Sequence, residues 1–81
     1  GEAEARYNVD KAAELVRSLD IEPREVITRV GNPVEEIITA GSDYSLIVTG
    51  DTGVTGIKRF FMGSVAFKVM EYAKNSVMVV R

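Results

Sequence analysis

The chain has 81 residues, a formal net charge of −2, and neither cysteine nor histidine. This length fits one small domain, and the missing residue types exclude disulfides, histidine-based acid–base catalysis and zinc sites of the usual ligand set. The sequence has no apolar run of 18 residues and does not open on a signal-peptide pattern. We therefore expect a cytoplasmic protein with no membrane partner.

The first predicted element is a helix over residues 3–19, because apolar side chains recur there at a spacing of about 3.6 residues. These side chains are Ala12, Leu15, Val16 and Leu19. A connection that contains Pro23 follows. Residues 25–30 are short, β-branched and bounded by Gly31, and this pattern predicts a strand.

A second helix is predicted to begin after Asn32, which can cap its N-terminus, with Pro33 at the first helical position. Gly41 is predicted to end this helix. The continuous apolar run in residues 45–50 predicts a strand that is covered on both faces.

The last two predicted elements are a helix from Gly63 to about Ala73 and a strand over residues 76–80. The order is therefore α-β-α-β-α-β, which indicates an α/β fold with a parallel sheet and right-handed crossovers. Three strands make a narrow sheet with two exposed edges.

Charge is distributed unevenly along the chain. Residues 1–51 carry eleven acidic and five basic side chains, for a net charge of −6, whereas residues 52–81 carry one acidic and five basic side chains, for +4. The positive part suits a phosphate ligand, but charge alone favours the simpler interpretation of solvated surface charge. We expect no nucleic-acid partner, because the basic residues form no dense stripe and no aromatic stacking platform accompanies them.

The segment from Val48 to Ser64 joins a predicted strand to a predicted helix and is rich in glycine. Gly50 and Gly53 would let backbone amides approach an anion. Gly63 and Ser64 would lie at a helix N-terminus, which favours negative charge. Phosphate is the ligand class that this pattern favours. Neither G-x-x-x-x-G-K-[ST] nor G-x-G-x-x-G is present, and glycines alone also fit an ordinary turn.

The glycines follow the spacing G-2x-G-9x-G-[S/T], between the segments "LIVTG" and "SVMVVR". With "VGNPVEEII" upstream, this resembles the C-terminal half of a universal stress protein domain of the ATP-binding kind. The resemblance runs from about Ala12 to Arg81, and we assign residues 1–81 to one partial domain. It implies the three-layer parallel sheet of adenine nucleotide alpha hydrolase-like folds, of which only the C-terminal α-β-α-β-α-β portion is present.

The resemblance also implies a ligand and a role. Members of the family are chiefly stress-response regulators that hold the phosphates and ribose of ATP or AMP, and it implies no catalytic residue and at most slow ATP hydrolysis. An alternative is a dimerisation or interaction module of the same fold that binds no nucleotide. The positions that match the family's nucleotide contacts are Thr49, Gly50, Gly53, Gly63, Ser64 and Val65.

Asp51 departs from the family pattern, which often has a small hydroxyl residue at this position. A carboxylate beside phosphates repels them unless a cation intervenes. Asp51 could help to hold Mg²⁺, could cap the turn, or could face solvent. The last strand is an expected sheet edge, and the family commonly dimerises through it, so a homodimer through Val77–Val80 is expected.

The front half of the family domain, which contributes the adenine contacts, has no counterpart in this sequence. Three explanations stay open. The chain is part of a longer protein, or another chain completes the domain, or its first predicted strand packs beside the second to give a compact three-stranded unit.

Overall fold

A computed structural model of the chain describes residues 1–51 and 62–80, in two compact units that comprise Gly1–Val30 and Gly31–Arg81. The elements are α1 (Glu2–Ser18), α2 (Pro33–Gly41), β1 (Leu46–Gly50), α3 (Ser64–Tyr72) and β2 (Ser76–Val80). All five elements match predicted helices or strands in kind and within about one residue at each end.

The first unit contains α1, which ends in a Schellman motif. The N–H of Ile21 donates to the carbonyl of Val16, and the N–H of Asp20 donates to the carbonyl of Arg17. Asp20 has a φ of 62°, the left-handed conformation that usually calls for glycine at this position but that aspartate tolerates. This local geometry ends the helix one residue earlier than the apolar spacing predicts.

The strand predicted over residues 25–30 is wrong, since these residues form neither helix nor strand. Val30 is 81% exposed, and Ile27 is also exposed. β-Branched residues favour a half-buried position on a pleated sheet. A strand nevertheless forms only where a neighbouring strand provides hydrogen bonds to its backbone. The explanation in which this segment packs as a third strand of a compact unit is therefore wrong as well.

The second unit begins with α2, whose predicted start is confirmed. The side-chain oxygen of Asn32 accepts a hydrogen bond of 3.1 Å from the backbone N–H of Glu35, and Pro33 occupies the first helical position. The cap satisfies one of the amides that every helix leaves unpaired at its start. These local signals fix where α2 begins.

The sheet of the second unit pairs β1 with β2 in parallel, in a register that runs from Leu46↔Ser76 to Gly50↔Val80. The parallel arrangement is confirmed, although the described residues form two strands where three are predicted. α3 lies between the two strands along the chain, contacts α2 and packs against β2. Its Ala66 and Val69 are buried, as is Ile47 of β1.

The sheet face opposite Ile47 is exposed to solvent. The prediction that β1 is covered on both faces is therefore wrong for this chain. Four apolar side chains on this face are between 44% and 59% exposed. They are Leu46, Val48, Met78 and Val80. The described residues thus place α2 and α3 against the Ile47 face, and they do not establish a three-layer arrangement. Across the described residues, no helix has the length and apolarity that a membrane span needs.

The contact between α2 and β1 leaves no room for a side chain at Gly41. A Cβ added there would lie 2.7 Å from both Cγ1 and Cδ1 of the buried Ile47. We expect Gly41→Ala to lower the free energy of unfolding by about 1–3 kcal/mol through overpacking. Urea unfolding of the full-length protein measures this change.

Gly50→Ala is the matched control for that substitution. A Cβ at Gly50 meets no described atom within 4 Å, so we expect its effect on the free energy of unfolding to stay within about 0.5 kcal/mol. Equal losses of stability in the two variants would contradict the overpacking argument.

Candidate functional site

The candidate site lies where β1 ends and α3 begins. Thr49 and Gly50 are the last residues of β1, Gly63 is the N-cap of α3, and Ser64 and Val65 are its first two residues. In parallel α/β sheets, the carboxyl ends of the strands are where ligands bind. The structure therefore gathers five of the six predicted contact residues at this edge, while Gly53 falls outside the described residues.

Asp51 joins the two sides of the site. The backbone N–H of Gly63 donates both to the carbonyl oxygen of Asp51, at 3.1 Å, and to its carboxylate Oδ1, at 3.2 Å. Asp51 is 8% exposed. Its side chain is therefore buried against the start of α3, so the interpretation that it faces solvent is wrong.

The N-terminus of α3 is arranged differently from that of the other two helices. Gly63 is extended, with φ −61° and ψ 152°, and it provides no side-chain cap; the first turn of α3 contains no acidic residue. By contrast, α1 and α2 each carry two glutamates in their first turn, and Asn32 caps α2. Within α3 itself, nothing balances the partial positive charge of the helix N-terminus.

The described residues give no structural reason for a glycine at position 50. Its φ is outside the left-handed region, and no described atom lies within 4 Å of a Cβ added there. The hydroxyl of the preceding Thr49 donates to the Gly50 carbonyl at 3.2 Å. Among the described residues, no atom thus fills the space beside Gly50, and a glycine would leave its backbone accessible to a ligand.

The predicted role of Asp51 in holding Mg²⁺ remains a prediction. Among residues 1–51 and 62–80, no group of three or more Asp, Glu, His or Cys side chains is placed to hold a metal ion. A magnesium ion bound with one carboxylate and ligand phosphates would not need such a group.

The sequence profile of the universal stress protein family matches residues 1–81. The chain belongs to this family. It is 37% identical over 59 residues to the universal stress protein YxiE of Bacillus subtilis (strain 168), an alignment that covers 70% of this chain and 40% of that relative. The matched region thus spans well under half of the length of this curated relative. A comparison with solved structures found no match.

Membership of the universal stress protein family indicates a role in the stress response. It also agrees with the small α/β architecture and the parallel strand pair of the second unit.

A groove of about 540 Å³ lies at the opposite end of the sheet, where the two strands begin. Asn75 lines this groove, and its role was not predicted from the sequence. The amide Nδ2 of Asn75 donates to the carbonyl of Gly41, at 2.7 Å, and to the carbonyl of Tyr44. It thereby ties the connection before β1 to the connection before β2. The sequence signal was an asparagine directly before a strand, which by itself indicates only a turn.

We expect Asn75→Ala to lower the free energy of unfolding by about 1–3 kcal/mol, because it removes the side-chain hydrogen bonds to the carbonyls of Gly41 and Tyr44. Of these two carbonyls, that of Gly41 keeps the hydrogen bond from the Tyr44 N–H. Asn75→Asp keeps the shape of the side chain but replaces the donor with an acceptor, so we expect at least an equal loss. Urea unfolding of both variants measures the effect. An Asp variant as stable as the wild type would show that shape alone matters.

Proposed function

We propose that this chain contributes the phosphate-binding half of an adenine-nucleotide site in a cytoplasmic stress-response regulator. The ligand is ATP or AMP, together with Mg²⁺ held partly by Asp51. The observation that carries the proposal is the N-terminus of α3, whose N-cap residue Gly63 has no side chain to cap the helix, together with the neighbouring Gly50, where no described atom lies within 4 Å of an added Cβ. Backbone amides at such a helix start form an anion site.

The proposed contacts follow from this geometry. The amides of Ser64 and Val65 and the hydroxyl of Ser64 would donate to phosphate oxygens. Gly63, whose own N–H donates to Asp51, would contribute a backbone without a side chain that a phosphate can approach closely. Gly50 and Thr49 would lie along the nucleotide from the side of β1, and Gly53, which lies outside the described residues, is proposed from its place in the glycine pattern. The positive net charge of residues 52–81 supports an anionic ligand.

The same contacts favour binding over catalysis. The proposed set contains no general base, and phosphoryl transfer needs a group that positions the attacking water together with stabilisation of charge. We propose a regulatory domain with at most slow ATP hydrolysis.

The adenine side of the site is proposed to come from residues outside this chain. The matched region covers 40% of the relative from Bacillus subtilis, which fits a partial domain that is continued in a longer protein or completed by another chain. The binding test therefore uses the full-length protein.

Calorimetric titration with ATP, AMP and adenosine tests the proposal. We expect saturable heat and a raised melting temperature with both nucleotides, and weaker binding of adenosine because it lacks the phosphates. Absence of heat and of any thermal shift with both nucleotides would refute the proposed function. Equal affinity for adenosine and AMP would place the recognition elsewhere in the protein.

A dimerisation module is the second candidate function, and the exposed side chains of β2 favour it. Met78 and Val80 are both more than half exposed, and within the described residues β2 pairs only with β1. An unpaired edge with apolar side chains favours addition of another strand. We propose a symmetric homodimer through Val77–Val80.

Sedimentation velocity together with the titration separates the two candidates. If Gly63→Val abolishes nucleotide binding and leaves a dimer intact, nucleotide binding is a function separate from dimerisation. A wild-type dimer that never binds nucleotide would favour the interaction module. A wild-type monomer at high micromolar concentration would refute the dimer.

A further inference from the structure

Asp51 places a negative charge at the start of α3 without being part of that helix. Its carbonyl oxygen and its carboxylate Oδ1 converge on one N–H, that of Gly63, at 3.1 and 3.2 Å. The two residues are twelve positions apart in the sequence, so this is a tertiary contact rather than a local cap. The buried side chain is held at this position by the fold.

The carboxylate is suited to its position because the helix dipole favours an anion there. The first turn of α3 contains no acidic residue, so Asp51 takes the place that the glutamates of the first turn hold in α1 and α2. In the unliganded protein this interaction stabilises the start of α3. The same carboxylate would lie next to any phosphate that the helix start binds.

We infer that Asp51 sets the charge selectivity of the nucleotide site, an inference that rests on the proposed function. A phosphate that accepts from the amide of Ser64 or Val65 would approach the Asp51 carboxylate to within the Debye length of about 8 Å. Repulsion then grows with the charge on the phosphates. The site discriminates against free ATP and accepts ATP whose charge a divalent cation has partly neutralised.

The size of this preference follows from Coulomb's law. Magnesium removes two units of charge from ATP, and two charge pairs at about 6 Å in a water-like dielectric change an affinity roughly tenfold. We expect the wild-type protein to bind ATP about tenfold more weakly in EDTA than in excess Mg²⁺.

The decisive variant is Asp51→Asn in the full-length protein. Asparagine keeps an Oδ1 acceptor for the Gly63 N–H but removes the charge, so we expect the EDTA-to-magnesium ratio of dissociation constants to fall at least threefold, mainly through tighter binding of free ATP. Asp51→Ser is a second uncharged variant, in case asparagine disturbs the fold. Asp43→Asn is the matched control, because it removes the same charge from an exposed residue that precedes β1 and should leave the ratio unchanged.

Each outcome of these titrations decides a separate point. An unchanged ratio in both Asp51 variants, with wild-type binding intact, overturns the inference and leaves the proposed function standing. Loss of ATP binding in both variants under both conditions also overturns it, since Asp51 would then be needed for binding itself. A wild-type protein that binds no adenine nucleotide overturns the proposed function and the inference with it.

Discussion

Val69→Asp is expected to abolish cooperative unfolding of the second unit. Val69 is fully buried, with 0% of its surface exposed, on the α3 face that packs inward. An unpaired carboxylate there costs several kcal/mol, which is comparable with the 5–15 kcal/mol that stabilises a typical domain. Circular dichroism during heating of the full-length protein should show no cooperative transition for the second unit.

Val30→Asp is the matched control for this prediction. It introduces the same charge in place of the same side chain, at a residue that is 81% exposed, and its effect on the free energy of unfolding should stay within about 0.5 kcal/mol. A Val69→Asp protein that melts at the wild-type temperature would show that α3 does not form the core of this unit.

The size of that core explains the expected sensitivity. The described part of the second unit buries the apolar side chains of Ile47, Ala66 and Val69, and the sheet face opposite them is open. A small chain buries a small fraction of its surface, so that each buried side chain carries a large share of the stability.

The helices and the two strands could be predicted because their signals are local. Asn32 caps α2 through an amide three residues away, and within a helix Pro33 is tolerated only in the first turn. The apolar spacing of α1 lies within one segment. Each of these features acts over a turn or two of chain, which is the range over which a sequence pattern determines conformation.

The strand at residues 25–30 could not be predicted correctly, because strand formation depends on a neighbour. Its β-branched residues have the composition of a strand, but the described chain gives them no partner. The run in β1 likewise has the composition of a strand covered on both faces, while Leu46 and Val48 are exposed here. Composition indicates the environment in which a segment would be stable as a strand, namely beside a pairing partner and with its apolar side chains buried. The described chain supplies only part of that environment.

The candidate site was only partly predictable, because some of its features depend on local sequence and others depend on tertiary contacts. The start of α3 after Gly63 follows from local spacing and is confirmed. The hydrogen bonds from Gly63 to Asp51 span twelve residues and depend on how β1 and α3 pack, so the sequence left the direction of the Asp51 side chain open. Asn75 was missed because its acceptors, the carbonyls of Gly41 and Tyr44, are more than 30 residues away.

Gly50→Val is expected to weaken ATP and AMP binding at least tenfold, or about 1.4 kcal/mol, without destabilising the fold. Gly50 ends β1 opposite Val80 in the parallel register, and valine suits a strand position. No described atom lies within 4 Å of the added Cβ, so the described part of the fold offers no steric reason for a glycine. The proposed reason is close approach of the nucleotide to the backbone, which a branched side chain would obstruct.

The measurement pairs calorimetric titration with thermal unfolding for a graded series of variants. Gly50→Ala should lose less affinity than Gly50→Val, because its smaller side chain obstructs less of the approach, and both should melt at or above the wild-type temperature. Ser45→Val places the same side chain at an exposed residue directly before β1 and should bind nucleotide as the wild type does. If Gly50→Val folds and binds with wild-type affinity, the nucleotide does not pass close to the end of β1. The phosphate contacts would then have to lie on the α3 side of the site alone.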